Sequence, residues 1–426
     1  MIKKILTAAL FLAAYLTASS QTNIYVWQKD GTVTSFPISN VDSISFTPKS
    51  TNSGTSTTKD AMPSDAKTLA AKMYMGINLG NTFESVNNGG SSNETSWGSP
   101  VITKSLIDFY KASGFNAIRL PVAWHIHESN TSTYEIDAAW MKRIKEVVDY
   151  CYQDSLYVII NIHWDGGWLE NNVTSTKQTA VNAEQAALWK QIATQFKDYD
   201  EHVLFASCNE PGMNQNDDAS TIAPILKSYH QTFVNTVRAT GGNNAKRCLI
   251  VQGITADIDK SLANDVVPTD NVQNRMMYEV HDYPYTYAIM TEDASWGNMD
   301  YYWGKDYQNI YINGVERSCT WSTETTMAND FNKMKSTFVN GKGMPVILGE
   351  FAVTDRPVLT GNDLTKFEAS RAYYYEYIVK TAKNYGMVPF LWDTPGHVMD
   401  RSNNKILNQT SYDGLMKGAK EGKYPF

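Results

Sequence analysis

Positive charge is in short supply in this chain: 37 Lys and Arg stand against 44 Asp and Glu, a formal net charge of −7. Nucleic-acid binding rests on cationic contacts to phosphates, so the balance argues against such a partner. No polybasic run is present to hold an anionic membrane surface. Cysteine is scarce, with four in 426 residues and no C-x-x-C pair. The spacings of Cys151, Cys208, Cys248 and Cys319 fit no zinc pattern. Four cysteines allow two disulfides, but Cys151 lies in a helical pattern and Cys208 and Cys248 end or sit in apolar runs. Buried free thiols are therefore the expectation. One long apolar run stands out, from Ile5 to Leu16, and it is too short to span a bilayer well. With Lys3 and Lys4 before it and Ala18, Ser19 and Ser20 after it, it reads as a signal peptide over residues 1–20. The expectation is an exported, soluble, monomeric chain bound for the periplasm, the cell surface or the medium, with no membrane span.

What is present divides unevenly. Residues 21–47 alternate in short strand-like runs, "NIYVWQKDG" and "VDSISF", and are too few to bury a core alone. Residues 48–64 are rich in Ser and Thr and read as a flexible linker. Residues 65–426 form the main domain. Eight apolar runs recur there: "YMGINL", "NAIRLP", "YVIINIH", "VLFASCN", "RCLIVQG", "MMYEVH", "PVILGEF" and "MVPFLW". Amphipathic helical stretches separate most of them, including Ala138–Asp154, Asn182–Tyr199, Ile222–Ala239 and Thr365–Tyr385. Runs this apolar are buried on both faces, as in parallel sheets. Eight of them alternating with helices predict a (β/α)8 TIM barrel. The stretch from Tyr285 to about Thr320 shows no core pattern and reads as an elaborated loop.

Polar residues fall at the ends of these runs, where such barrels build their active sites. The second run carries Arg119 and precedes His125 and His127. The third ends at His163, Trp164 and Asp165, and the fourth at Asn209 and Glu210. The sixth ends at His281, Asp282 and Tyr283, the seventh at Glu350, and the eighth at Trp392 and Asp393. Charges at the ends of apolar strands are costly unless paired, so several converging groups mark a site. Two carboxylates on strands four and seven face each other across a barrel mouth. That pairing suits glycoside hydrolysis, in which one acid protonates the departing oxygen and the other meets the anomeric carbon.

The ordered set "GINLGNTFES", "NAIRLPVAWHIH", "VIINIHWDGGW", "LFASCNEPG", "YEVHDYPY", "PVILGEF" and "FLWD" resembles glycoside hydrolase family 5, the large cellulase family of retaining (β/α)8 enzymes. The resemblance covers residues 65–426 and implies a role for each matching residue. Glu210 is implied as acid/base and Glu350 as nucleophile. Asn209 is implied to bond the sugar 2-hydroxyl, Arg119 to keep Glu350 ionised at a low pKa, and Tyr283 to orient it. His163 and His281 are implied to line the cleaved subsite and Trp392 to form its platform. The chain departs from the family's usual pattern at Trp164, where a second His is frequent, at Cys208, and in "WDTPG".

The implied activity is endo-hydrolysis of β-1,4-linked glucan, whether cellulose-type, mixed-linkage or xyloglucan, with neither metal nor organic cofactor. β-1,4-Mannanase chemistry is the alternative within the family, and a non-catalytic glucan-binding protein the alternative outside it. His125-x-His127 invites a metal-dependent barrel hydrolase, but that pattern belongs after the first strand and its Lys and Asp partners are missing. Trp164, Trp168, Trp296, Trp303 and Trp321 lie in loops expected at the cleft face, and each is a candidate for stacking outer sugars or for local packing. Asn78 and Asn81 are candidates for support of the cleft.

Overall fold

In the computed structural model of the protein, residues 23–27, 30–38, 60–87, 92–212 and 218–426 are described. The expected signal peptide and most of the expected linker lie outside them. Strands Asn23–Trp27 and Val33–Pro37 form an antiparallel hairpin, within a unit separate from the one that begins at Asp60. Both strands are half-buried or exposed along their length, with no alternation of burial.

The larger unit is built on eight parallel strands: β1 (Gly76–Leu79), β2 (Ala117–Leu120), β3 (Tyr157–Asn161), β4 (Val203–Ala206), β5 (Leu249–Gln252), β6 (Met276–His281), β7 (Val346–Phe351) and β8 (Met387–Asp393). They pair in sequence order and close into a barrel. The helices that follow them are α1 (Lys104–Ala112), α2 (Ala138–Gln153), α3 (Gln178–Gln195), α4 (Ala219–Ala239), α5 (Ile258–Ala263), α6 (Glu324–Met334), α7 (Gly361–Asn384) and α8 (Gln409–Glu421). Side-chain caps start most of them; Asp137 accepts from Trp140 N at 2.8 Å and Asn408 from Ser411 N at 2.9 Å, each satisfying a helix N–H that has no partner within the helix.

Alternation along the strands divides the core in two. Outward side chains such as Ile118, Val158, Phe205, Val251 and Leu348 pack against the helices. Inward ones such as Ile159, Leu204, Ile250, Met277, Ile347 and Phe390 fill the lower barrel, where Leu69, Ala70 and Met73 of a helix preceding β1 join them. Above this apolar plug the interior turns polar. Asn78, Arg119, Asn161, Gln252 and Glu279 are all fully buried. A buried polar group needs a partner, and these groups find theirs in one another and in the residues at the strand ends.

All four cysteines are free and buried. The stretch from Tyr285 to Thr320 differs from its reading as a loop without core. It buries Tyr287, Met290, Met299, Tyr301, Tyr302 and Trp303, and Arg356 holds it by donating to Asp300 O at 3.1 Å and to Tyr287 O. Its backbone is irregular, so its apolar residues carry no period of 2 or 3.6 from which burial could be read.

Candidate active site

Arg119 lies at the centre of the site. Its Nη1 donates to Glu350 Oε1 at 2.8 Å and to Asn78 Oδ1 at 2.9 Å. Its Nη2 donates to Asn209 Oδ1 at 2.7 Å and lies 2.8 Å from Glu279 Oε1. Asn78 is fixed in turn by donating to Gly349 O and Leu391 O, at 2.8 and 3.1 Å. A guanidinium held at this many points has one orientation, and so do the carboxylates that it meets.

Glu350 enters the barrel through a register shift between Leu348 and Phe351 on β7. The residue before it has to be glycine: a Cβ on Gly349 would stand 2.2 Å from Glu279 Oε1. Tyr283, just past β6, donates its hydroxyl to Glu350 Oε2 at 3.0 Å. Both oxygens of Glu350 therefore have a donor. Glu210 reaches the same space from the end of β4. Its backbone N–H donates to Glu170 Oε1 at 2.7 Å, and its Oε1 meets His281 Nδ1 at 2.7 Å. One oxygen each of Glu210 and Glu350, with a nitrogen of His281, lie within 4.8 Å of one another. Glu210 is the more open of the two, 22% exposed against 8% for Glu350.

The electrostatics follow from this crowding. Burial works against a charged His281, but Glu350, Glu210 and Glu279 outweigh it and push the ring up to about 10. Burial also opposes ionisation of Glu279, yet Arg119 and His281 hold it below the usual carboxylate range. Burial pushes Glu350 up against the pull of His281 and Arg119. This corrects the expectation that Arg119 would hold Glu350 low: burial first, and then the charges of Glu210 and Glu279, outweigh the pull of Arg119. Two cations, Arg119 and His281, thus face three acids, Glu210, Glu279 and Glu350. His163 is pushed well below its ordinary value by burial, then by Arg119 and His281. Its neutral ring stacks on Trp392 with centroids 5.7 Å apart and planes at 11°.

The residue types and their placement, two close carboxylates at the ends of β4 and β7 beside a flat aromatic surface, are those of a sugar-cleaving barrel. The profile described as Cellulase (glycosyl hydrolase family 5) matches residues 80–397. The chain belongs to glycosyl hydrolase family 5. A xyloglucan-specific endo-β-1,4-glucanase of Bacteroides ovatus is 40% identical over 363 residues, which are 82% of this chain and 69% of that one. Endoglucanase A of Paenibacillus barcinonensis is 36% identical over 377 residues, 83% of this chain and 90% of its own. Among solved structures, a family 5 xyloglucan-specific β-1,4-glucanase from a ruminal metagenomic library, in complex with XXLG, superposes with a TM-score of 0.77 at 37% identity. That match covers 85% of this chain and 98% of the other. This family 5 chain is a glycoside hydrolase of the endo-β-1,4-glucanase class.

Arg119, Asn209, Glu210, His281, Tyr283 and Glu350 form one connected cluster in this family 5 enzyme, and His163 and Trp392 stack as a pair. The loop tryptophans separate. Trp296 and Trp321 are exposed. Trp303 is fully buried against Tyr373, Tyr374 and Tyr377 of α7 and is core, not cleft lining. Trp168 is nearly buried and stacks on His125. His127 stacks on Trp140 at 3.6 Å. Asn81 adopts a positive φ of 59° and donates its N–H to Glu84, a structural turn. Cys208 donates from both N and Sγ to Gln252 Oε1, at 3.1 and 3.4 Å.

Two acids escaped the reading of the sequence. Glu279 lies two positions before His281 on β6 and so faces the same way; that alternation was the available signal. Gln252 Nε2 donates to its Oε2 at 2.7 Å, and His230 of α4 meets Gln252 O at 2.9 Å. Glu170 sits in the loop after β3, where nothing local marks it. Burial, opposed by the N–H of Glu210, pushes its carboxyl up to about 8.

Proposed function

We propose that the protein is an exported, retaining endo-β-1,4-glucanase whose preferred polymer is xyloglucan, with Glu210 as acid/base and Glu350 as nucleophile. The observation that carries the mechanism is the approach of the two carboxylates to within 4.8 Å. Retaining enzymes keep their carboxyl groups roughly 5 to 5.5 Å apart, whereas inverting ones leave about 6.5 to 9.5 Å for a water. In the first step an oxygen of Glu350 forms a bond to the anomeric carbon as the bond to the leaving oxygen breaks. The leaving oxygen takes the proton of Glu210. In the second step water attacks the same carbon and gives its proton to Glu210, and Glu350 departs as carboxylate.

The other residues serve these two steps. Arg119 and Tyr283 aim the oxygens of Glu350, one donor to each. Asn209 has its oxygen committed to Arg119 and its amide nitrogen engaged with Glu170, so the second N–H of that nitrogen is the one left to donate to the sugar 2-hydroxyl. His281 and His163 line the cleaved subsite, and Trp392 carries the C–H face of the sugar. Xyloglucan as substrate rests on the relatives named for it, and export rests on the pattern of residues 1–20.

The deciding experiment is a hydrolysis panel of xyloglucan, barley β-glucan, carboxymethylcellulose and mannan, with Glu210→Ala and Glu350→Ala beside the wild type. The expected result is fastest oligosaccharide release from xyloglucan, β-configured new reducing ends by NMR, and near-complete loss in both variants. Release mainly from mannan would overturn the substrate but keep the mechanism. Full activity in either variant would overturn the assignment of that carboxylate.

A further inference from the structure

A second constellation of one histidine and two glutamates lies apart from the catalytic carboxylates. His125 and Glu128 belong to the turn after β2, and Glu184 projects from α3. His125 Nδ1 is 2.6 Å from Glu184 Oε1 and 3.8 Å from Glu128 Oε1. Donor atoms of all three lie within 4.8 Å of one another. The sequence assigned no metal role to the His-x-His pair, and His127 takes no part, being stacked on Trp140. The acids come from elsewhere: Glu128 one position beyond the pair, and Glu184 more than fifty positions on.

Glu128 is the informative member. Its side chain is 1% exposed, and neither carboxylate oxygen has a hydrogen-bond partner. Buried carboxylates are normally paired, because an uncompensated one costs several kcal/mol. Among the described residues, the cation near it is the His125 ring, whose Nδ1 is already engaged by Glu184. The remaining neighbour is another acid, Asp165, which is fully occupied in accepting from the backbone N–H groups of Trp124, His125 and Ile126 and from Trp168 Nε1. The pocket therefore holds acids without enough positive charge, and an unpartnered carboxylate aimed at a histidine.

We propose that His125, Glu128 and Glu184 form a binding site for one divalent first-row cation, zinc by donor chemistry, that ties the turn after β2 to α3. Zinc bonds to imidazole nitrogen and carboxylate oxygen are about 2.0 to 2.2 Å long, so tetrahedral donors sit roughly 3.3 Å apart. The observed 2.6 and 3.8 Å separations bracket that edge. One imidazole with two carboxylates suits zinc better than calcium or magnesium, which take oxygen donors only. His125 is 38% exposed, which opens a path for the ion and leaves a fourth position for water. The ion takes no part in sugar chemistry. It acts on the cleft wall: His125 stacks on Trp168, with centroids 5.8 Å apart, and Trp168 belongs to the loop after β3 that begins at His163.

The test uses the full chain, purified without a histidine tag, stripped with chelator and titrated with zinc chloride in a calorimeter. The site predicts one equivalent bound by the wild type and none by Glu128→Gln or His125→Ala. Glu350→Ala must keep the equivalent, which separates this site from binding at Glu210, His281 and Glu350. Thermal melting supplies a second readout. Zinc a hundredfold above Kd raises the wild-type Tm by about 3 °C and leaves Glu128→Gln unmoved. No stoichiometric binding by the wild type overturns the proposal. So does an equivalent that survives in both Glu128→Gln and His125→Ala, or one that Glu350→Ala abolishes.

Discussion

Glu279→Gln is the most searching perturbation of the site, because Glu279 touches no position where substrate would sit and yet holds the groups that do. Its carboxylate meets Arg119 Nη2 at 2.8 Å, Gln252 Nε2 at 2.7 Å and His281 Nε2 at 3.3 Å. Glutamine is nearly isosteric but offers one oxygen to these three donors and turns an NH2 toward the rest. Breaking a buried ion pair from one side costs about 3–5 kcal/mol. The unit Asp60–Phe426 has 367 residues, and about 2.1 cal/mol/K per residue gives an unfolding entropy near 0.8 kcal/mol/K. A loss of about 4 kcal/mol then lowers Tm by roughly 5 °C. Glu279 is held below the ordinary carboxylate range in the folded state. Its contribution is thus full above the unfolded pKa and fades as pH falls through the folded one. The Tm gap between wild type and variant should be constant from neutral pH down to about 4.5 and narrow below it. Activity should fall as well, since Arg119 and His281 both lose a partner that orients them; a drop in kcat/KM of about 10- to 100-fold is expected, or about 1.4–2.8 kcal/mol. Calorimetry across pH with initial rates on xyloglucan oligosaccharides reads both. A variant that melts within 1 °C or so of wild type at neutral pH, with kcat unchanged, refutes the reading of Glu279 as the counter-ion of the cluster.

Three further outcomes follow from the same geometry. Tyr283→Phe removes one donor to Glu350; a hydrogen bond to a charged group is worth about 1.5–3 kcal/mol, so kcat/KM should drop about 10- to 150-fold in steady-state assays with little change in Tm. Glu170→Gln keeps an acceptor for Glu210 N–H but removes a carboxyl whose pKa rises from 4.5 to about 8 on folding. Such a group binds its proton more tightly when folded, so wild-type stability falls as pH rises between those values; melts of Glu170→Gln across that range should show a flatter decline. Trp303→Ala should cost about 3–5 kcal/mol through the cavity it leaves and keep KM on short oligosaccharides unchanged, because the ring is core; a raised KM with unchanged Tm would return it to the cleft.

Much of this architecture was legible because the chemistry of a barrel strand is local. A run such as "YVIINIH" is apolar on both faces and ends in a polar residue, and both features follow from burial in the sheet and exposure at its end. The eight runs therefore announced eight strands, and their ends announced Arg119, His163, Asn209, Glu210, His281, Tyr283, Glu350 and Trp392. Glu279 was hidden because a single acid within "MMYEVH" looks like a strand residue facing solvent until the barrel closes around it. Glu170 and Glu184 were hidden because neither ends a strand; one sits in a loop and the other in a helix. Trp303 stayed open between cleft and core because an irregular segment bears no period from which burial can be read.

By itself, then, the sequence determined what repeats or what ends a repeat: the strand and helix order, the polar residues at the strand ends, and through their motifs the enzyme family. Tertiary structure alone decided how those residues share charge. Arg119 serves Glu279 as well as Glu350, and His281 is held protonated by three acids from β4, β6 and β7. Charge sharing depends on distances of 3 to 4 Å between groups far apart in the chain, and no local pattern encodes such distances. The pairing of His125 and Glu128 with Glu184 was decided the same way, by the packing of α3 against the turn after β2.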